Sequence, residues 1–329
     1  MDNLNRPLAT ENRLPGSLEL APCVLCGANS FATVYSACPD RTYWNGGVFD
    51  VVKCTVCGLT MTNPRPTPAA IGDYYPAGYD SFANKGGDRR GISRALRDLV
   101  HLPYRLRYGP DQLTSEPVKP GLRLLDVGCG AGIYLEAMQA RGWEAWGVEP
   151  SPDQAEAVRR RLKLPLERVF AGRAENATFP PGSFDLVTMF HVLEHLHEPV
   201  TVLTMVRSWL REGGTLRLRV PNLDSYESRL FGRLWFGLEI PRHLTHFEPQ
   251  TIRRVLEAAG FEVERITCDF QAASTTGSLV HVWRAATRSR RQYRHSPTLY
   301  HLALPVVSIL MALGNRGAID VTARKRTIA

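Results

Sequence analysis

The chain has 329 residues, of which 44% are hydrophobic, 22% charged and 9% aromatic. That balance belongs to a globular chain of one large or two ordinary domains, and it excludes wholesale disorder and collagen-like repeats. The net charge is +8, yet His281–Ala329 holds nine Lys/Arg against Asp320 alone, so residues 1–280 balance at 31 of each sign. The basic excess is local, which argues against a nucleic-acid coat over the whole molecule.

The first twenty residues lack a charged region followed by a long apolar run, so no signal peptide is expected. No stretch reaches the roughly 18–20 apolar residues of a membrane span. Seven cysteines without a secretion signal point to a reducing compartment, and a cytoplasmic setting is expected.

Four of those cysteines come in two matching pairs. Cys23-Val-Leu-Cys26-Gly27 is followed, after 27 residues, by Cys54-Thr-Val-Cys57-Gly58. Two residues between paired cysteines let one tight turn aim both sulfurs inward, and four thiolates suit a tetrahedral Zn²⁺. Such a Cys₄ site leaves no open coordination position, so a structural zinc-ribbon-like module over residues 21–66 is expected. Asn45-Gly46-Gly47 reads as a turn between two strands of that module. Cys38, Cys129 and Cys268 lie outside the pattern.

Asn63-Pro64-Arg65-Pro66-Thr67-Pro68 has proline at every second position, which excludes helix and central strand. It opens a connector over residues 67–117 that contains Tyr74, Tyr75 and Tyr79. These tyrosines are read either as packing or as a lid over a ligand, with Tyr79 taken as a substrate contact. Helical spacing predicts a connecting helix over Gly91–Tyr108.

Residues 118–329 alternate strands and helices. Strands are predicted at Leu122–Val127, Ala145–Val148, Arg168–Ala171, Phe184–Phe190, Gly214–Val220, Phe261–Phe270 and Ala318–Lys325. Helices are predicted at Ile133–Arg141, Pro152–Leu162, Pro199–Leu210 and Pro249–Ala259. The pattern is a doubly wound, seven-stranded, Rossmann-like α/β sheet. The first strand runs into Asp126-Val-Gly128-Cys-Gly130-Ala-Gly132, and Glu149 ends the second strand 17 residues beyond Gly132. Bare backbone at such a turn admits a ligand, and an acid at the second strand tip suits ribose hydroxyls. Asp126 would repel a pyrophosphate but suits the ammonium and sulfonium of S-adenosylmethionine. That cofactor is therefore expected, with Asp126, Gly128, Gly130, Gly132 and Glu149 in its site.

Across residues 118–270 the chain resembles the class I S-adenosylmethionine-dependent methyltransferases. The carriers are LLDVGCGAG (Leu124–Gly132), GVEPS (Gly147–Ser151), FPPGSFDLV (Phe179–Val187), FHVLEHL (Phe190–Leu196) and AAGFEV (Ala258–Val263). The resemblance implies that Gly128 and Gly130 flank the methionine part and that Glu149 binds the ribose. It also implies that Ala174 and Glu175 line the adenine and that the backbone near Phe190 faces the methionine end. Arg173 stands where many relatives place an aspartate, so adenine contacts pass to backbone or to Glu175.

The paired Cys-x-x-Cys-Gly, the Asn-Pro-Arg-Pro connector and His243-Leu-x-x-Phe247 resemble a branch with a zinc module ahead of the methyltransferase domain. Sugar C-methyltransferases belong to that branch, and a Glu-His pair does their proton chemistry. Here His243 matches the histidine, but Arg242 replaces the glutamate. O-methylation is therefore expected ahead of sugar C-methylation.

Methyl transfer to a hydroxyl needs the acceptor positioned and its proton removed, a task that suits histidine near neutral pH. His243 is the first candidate base and His195 the second, with His191 and His246 as substrate contacts. Residues 271–317 form an expected insert, carrying Arg284, Arg288, Arg290, Arg291 and Arg294 ahead of the apolar run Leu299–Leu313. Over 284–313 it is read as packing on the domain or at a homodimer interface, or as a peripheral membrane patch. The expected acceptor is a small molecule, a glycan or a lipid-linked compound; RNA methylation is the alternative.

Overall fold

A computed structural model describes residues 17–75, 121–269, 272–289 and 316–326 of the chain. The first stretch forms β1 (Leu18–Glu19), β2 (Phe31–Pro39), β3 (Val48–Cys54), β4 (Thr60–Thr62) and β5 (Arg65–Pro66). Asn45-Gly46-Gly47 falls between β2 and β3, as the sequence suggests. Then come β6 (Arg123–Val127), α1 (Ile133–Gln139), β7 (Glu144–Glu149), α2 (Pro152–Leu162), β8 (Val169–Ala171), β9 (Phe184–Phe190), α3 (Pro199–Trp209) and β10 (Leu210–Pro221). The chain continues through α4 (Tyr226–Phe231), β11 (Thr245–His246), α5 (Pro249–Ala258), β12 (Phe261–Asp269), α6 (Ala272–Thr287) and β13 (Ala318–Lys325).

Seven strands form one sheet in the order β12–β13–β10–β9–β6–β7–β8, and β6 to β9 pair in parallel. This is the expected α/β architecture. Its register sets the positions that matter later: Asp126 lies opposite Gly147 and Thr188, and Glu149 opposite Ala171. Four carboxyl-end positions of neighbouring strands thereby come to one edge of the sheet.

Local chemistry explains the element ends. Ser151 caps α2, accepting a hydrogen bond from the Gln154 N–H at 3.4 Å, with Pro152 at the first helical position. Glu248 and Thr251 form a reciprocal capping box on α5, whose Ile252, Val255 and Leu256 are buried. β10 starts four residues earlier than predicted, directly after α3, because the ladder continues through Gly213 at φ 71°. α6 was not read from the sequence at all. Its buried Ser274, Thr275, Thr276 and Ser278 give no apolar period, and Gly277 packs where a Cβ would meet the Phe236 ring at 2.4 Å.

The chain falls into two compact units. One comprises the described residues of 17–75, 191–203 and 219–321. Within it, β11, β4, β3 and β2 form a four-stranded antiparallel sheet, with Met61 opposite Thr245 and Thr60 opposite His246. Cys38, Phe49, Val51, Tyr74, Trp235, Leu238 and Ile240 form its core, so Tyr74 is a packing residue, set edge-on to Phe49. The other unit comprises the described residues of 121–190, 204–218 and 322–326, with a core that includes Leu124, Leu135, Met138, Trp143, Ala145 and Val158.

Tyr79, the helix predicted over Gly91–Tyr108 and the apolar run Leu299–Leu313 lie outside the described residues. Among the described residues no helix is long and apolar enough to cross a membrane.

Candidate active site

Two acids define the sheet edge in the second unit. Glu149 is buried, and its two carboxylate oxygens accept hydrogen bonds from the Gly130 N–H at 2.9 Å and the Ser151 N–H at 3.0 Å. Burial raises its pKa, opposed by those two backbone donors. Each oxygen keeps a further lone pair, so the side chain can still accept from vicinal hydroxyls. Asp126 accepts from the Thr188 hydroxyl at 2.7 Å. Burial pushes its carboxyl up to about 7; the Thr188 hydrogen bond works against that, while the nearby Glu149 carboxylate adds to it. An arriving cation would offset that burial, whereas an anion would deepen it. The donor and acceptor set fits S-adenosylmethionine.

Gly128, Gly130 and Gly132 all have positive φ, at 75°, 51° and 70°. At Gly132 space is also short: a Cβ would meet Val158 at 2.9 Å. Of the other residues expected here, Ala174 is buried in the short helix Ala174–Asn176, and Glu175 pairs with Arg173 at 3.0 Å. Phe190 packs edge-on to Tyr134 at 5.1 Å. Thr188 was missed by sequence reasoning. Its signal was a polar residue inside the apolar strand Phe184–Phe190.

The first unit gathers the histidines. Glu194 is 1% exposed; one oxygen lies 3.2 Å from His191 Nδ1 and the other is buried without a hydrogen-bond partner. Burial alone would raise its pKa, but His191, His195 and His243 together hold it below the usual range. His195 Nδ1 lies 2.9 Å from the Tyr75 hydroxyl and 3.1 Å from the Arg242 carbonyl oxygen. A carbonyl only accepts, so Nδ1 carries the proton and Nε2 keeps its lone pair. Among the described residues Nε2 makes no hydrogen bond. Burial, with help from His243, lowers the His195 pKa to about 4.

His243 stacks edge-on to His195 with centroids 4.6 Å apart. Its Nδ1 donates to the Gly237 carbonyl at 2.8 Å, and its Nε2 faces a Glu239 oxygen at 3.6 Å. A hollow of about 170 Å³ beside it, lined in part by Trp235, His246 and Phe247, is smaller than the roughly 300–1,000 Å³ of ordinary ligand pockets. His246 is held by β4: Thr62 donates its hydroxyl proton to the His243 carbonyl, so the His246 Nε2–H donates to Thr62 at 3.0 Å. Burial lowers its pKa to about 3. Arg242 is fully buried and engaged by Asp40 through two bonds of 2.9 Å. Nothing in the sequence pattern flagged Glu239 or Asp40.

The cysteine pairs form two matching turns. Gly27 N–H donates to Cys23 O at 2.8 Å and Gly58 N–H to Cys54 O at 2.9 Å, with both glycines at φ above 70°. The four sulfurs lie within 4.8 Å of one another, with Cys23–Cys57 at 3.4 Å and Cys26–Cys54 at 3.6 Å. Tetrahedral Zn–S bonds of about 2.3 Å require S···S edges of about 3.8 Å, so the sulfurs fit that ion. Glu194, His195 and His243 are a second group whose ligand atoms lie within 4.8 Å.

The strand-tip acids, the glycine turn and the parallel sheet define a nucleoside-binding α/β enzyme. The family described as "Methyltransferase domain" matches residues 93–266, just over half of the chain, and the chain belongs to it. It is an S-adenosylmethionine-dependent methyltransferase. The chain is 26% identical over 234 residues to a ubiquinone biosynthesis O-methyltransferase of Xanthomonas campestris pv. campestris (strain B100), covering 69% of this chain and 93% of the relative. It is 27% identical over 198 residues to the enzyme of that name from Aeromonas salmonicida (strain A449), covering 57% and 80%. Among solved structures it is similar to the [4+2]-cyclase SpnF (TM-score 0.45, 22% identity, 74% of this chain and 86% of that one). It is also similar to geranyl diphosphate C-methyltransferase from Streptomyces coelicolor A3(2) (TM-score 0.44, 14% identity, 64% and 72%).

Proposed function

We propose that the chain methylates a hydroxyl group of a small-molecule acceptor, with a histidine of the His195–His243 pair taking the acceptor's proton. The observation that carries this reading is the buried pair itself. Both rings have Nδ1 fixed on a main-chain carbonyl, which holds them in one tautomer and orientation. The named function of the curated relatives, O-methylation in ubiquinone biosynthesis, supports oxygen as the accepting atom.

Asp126, Glu149 and the Gly128–Gly132 turn would hold S-adenosylmethionine. When bound, it supplies a methyl group on positively charged sulfur, so that a C–O bond forms as the S–C bond breaks and sulfur leaves as a neutral thioether. The protein's remaining task is the proton. A neutral imidazole accepts it at Nε2, while Glu194 offsets the charge that results. Cys23, Cys26, Cys54 and Cys57 would hold a structural zinc ion, a reading supported by their sulfur separations.

Sugar C-methylation is the second reading, and one observation favours it. Arg242 removes the acid of the motif, yet Glu239 supplies a carboxylate near the same histidine. Methyl-labelled cofactor fed to a cell lysate tests both readings. We expect label in the small-molecule fraction, released as methyl iodide by hydriodic acid, which cleaves methyl ethers. Label in RNA or protein, or small-molecule label that resists the acid, would overturn O-methylation of a small acceptor.

A further inference from the structure

Glu239 is set on a turn that serves both of its neighbours in space. It follows the short helix Phe236–Leu238 with φ 33° and ψ 47°, a left-handed conformation that costs a non-glycine residue about 1–2 kcal/mol. Its carbonyl accepts the Arg242 N–H at 2.9 Å and the His243 N–H at 3.1 Å. Its side chain does the same for the two side chains: one oxygen takes Arg242 Nε at 3.0 Å, the other faces His243 Nε2 at 3.6 Å.

The charges then sort themselves. Asp40 engages the Arg242 guanidinium through two bonds and so balances it, while Tyr74 O accepts from the same nitrogen at 3.0 Å. Glu239 is left as a second buried acid beside one balanced cation, and an unbalanced buried carboxylate is costly. Burial would raise the Glu239 pKa, yet His243, Arg242 and His195 bring it down to about 2. His243 Nδ1 is committed to a carbonyl, so a neutral ring would turn a bare Nε2 lone pair toward that carboxylate. A protonated ring turns an N–H toward it instead. The groups facing His243 are Glu239 and Arg242 from its own turn, Glu194 and His195 from the residues after β9, and His246 from β11. Only His195 among the rings of this pair keeps Nε2 without a partner among the described residues.

We propose that Glu239 is a positioning residue that keeps His243 as its protonated ion-pair partner, and so leaves His195 as the ring that takes the acceptor's proton. This deepens the histidine-base reading and rests on it. His243 contributes a fixed positive charge that favours an acceptor oxyanion, and His195 Nε2 receives the proton as the C–O bond forms.

Histidine-selective ¹⁵N spectra of the full zinc-loaded chain at pH 7 test the assignment without any acceptor. The wild type should show both His243 nitrogens protonated and His195 protonated at Nδ1 alone. In Glu239→Gln the His243 Nε2 proton should be lost, and Glu239→Asp should restore it. Zinc content and spectral dispersion equal to wild type establish that the variants are folded. A bare His243 Nε2 in the wild type overturns the proposal, and that result stands even if the Gln variant fails to fold. An unchanged His243 signal in folded Glu239→Gln overturns it equally. Because the spectra need no methyl transfer, they are independent of where label goes in a lysate.

Discussion

At the scale of single residues, Asp126 and Glu149 divide the work of one ligand. Glu149 retains acceptor capacity after taking two backbone N–H groups, which suits hydroxyls. Asp126 is the residue whose charge is in play. With its carboxyl pushed up to about 7 by burial, it is partly protonated at neutral pH, and only the ionised form attracts a cation. Affinity for S-adenosylmethionine should therefore rise with pH from 6 to 8, and Asp126→Asn should remove the slope. Glu149→Ala should weaken binding by about 1–3 kcal/mol, the cost of stranding buried polar partners. Calorimetry across that pH range checks all three. A flat wild-type profile together with unchanged affinity in Glu149→Ala would contradict the site.

At the scale of elements, the two cysteine turns fasten the ends of short strands. β3 ends on Cys54, and β4 begins two residues after Gly58. A metal shared between the turns would tie β3 and β4 to the stretch before β2. Purified protein should contain one equivalent of zinc, and Cys23→Ser or Cys54→Ser should lose it together with cooperative unfolding. Metal analysis finding none in freshly reduced protein would end that expectation.

Elements also show what a sequence can carry. Pro152–Leu162, Phe184–Phe190 and Ala318–Lys325 were legible to the residue because capping, apolar runs and β-branching agree there. α6 was not, because a helix packed through serine, threonine and glycine has no apolar stripe. β11 is two residues long, and its pairing with β4 spans more than 180 residues. Glu239 reaches His243 only through a left-handed turn, which composition does not announce. Asp126 and Glu149 were legible because strand ends fix them. Thr188 joins them only through register.

At the scale of the whole molecule, the strand-tip acids and the histidines belong to different compact units. Cofactor affinity and proton chemistry should therefore respond to different substitutions. The most direct test measures S-adenosylmethionine affinity and kcat on one folded preparation of His195→Ala, using the acceptor recovered from the labelled small-molecule fraction. Affinity should match the wild type within about twofold, while kcat falls about 10²–10⁴-fold, the usual contribution of a general base. Retention of more than about a tenth of wild-type kcat, or loss of affinity and turnover together, would contradict the assignment of His195 as base.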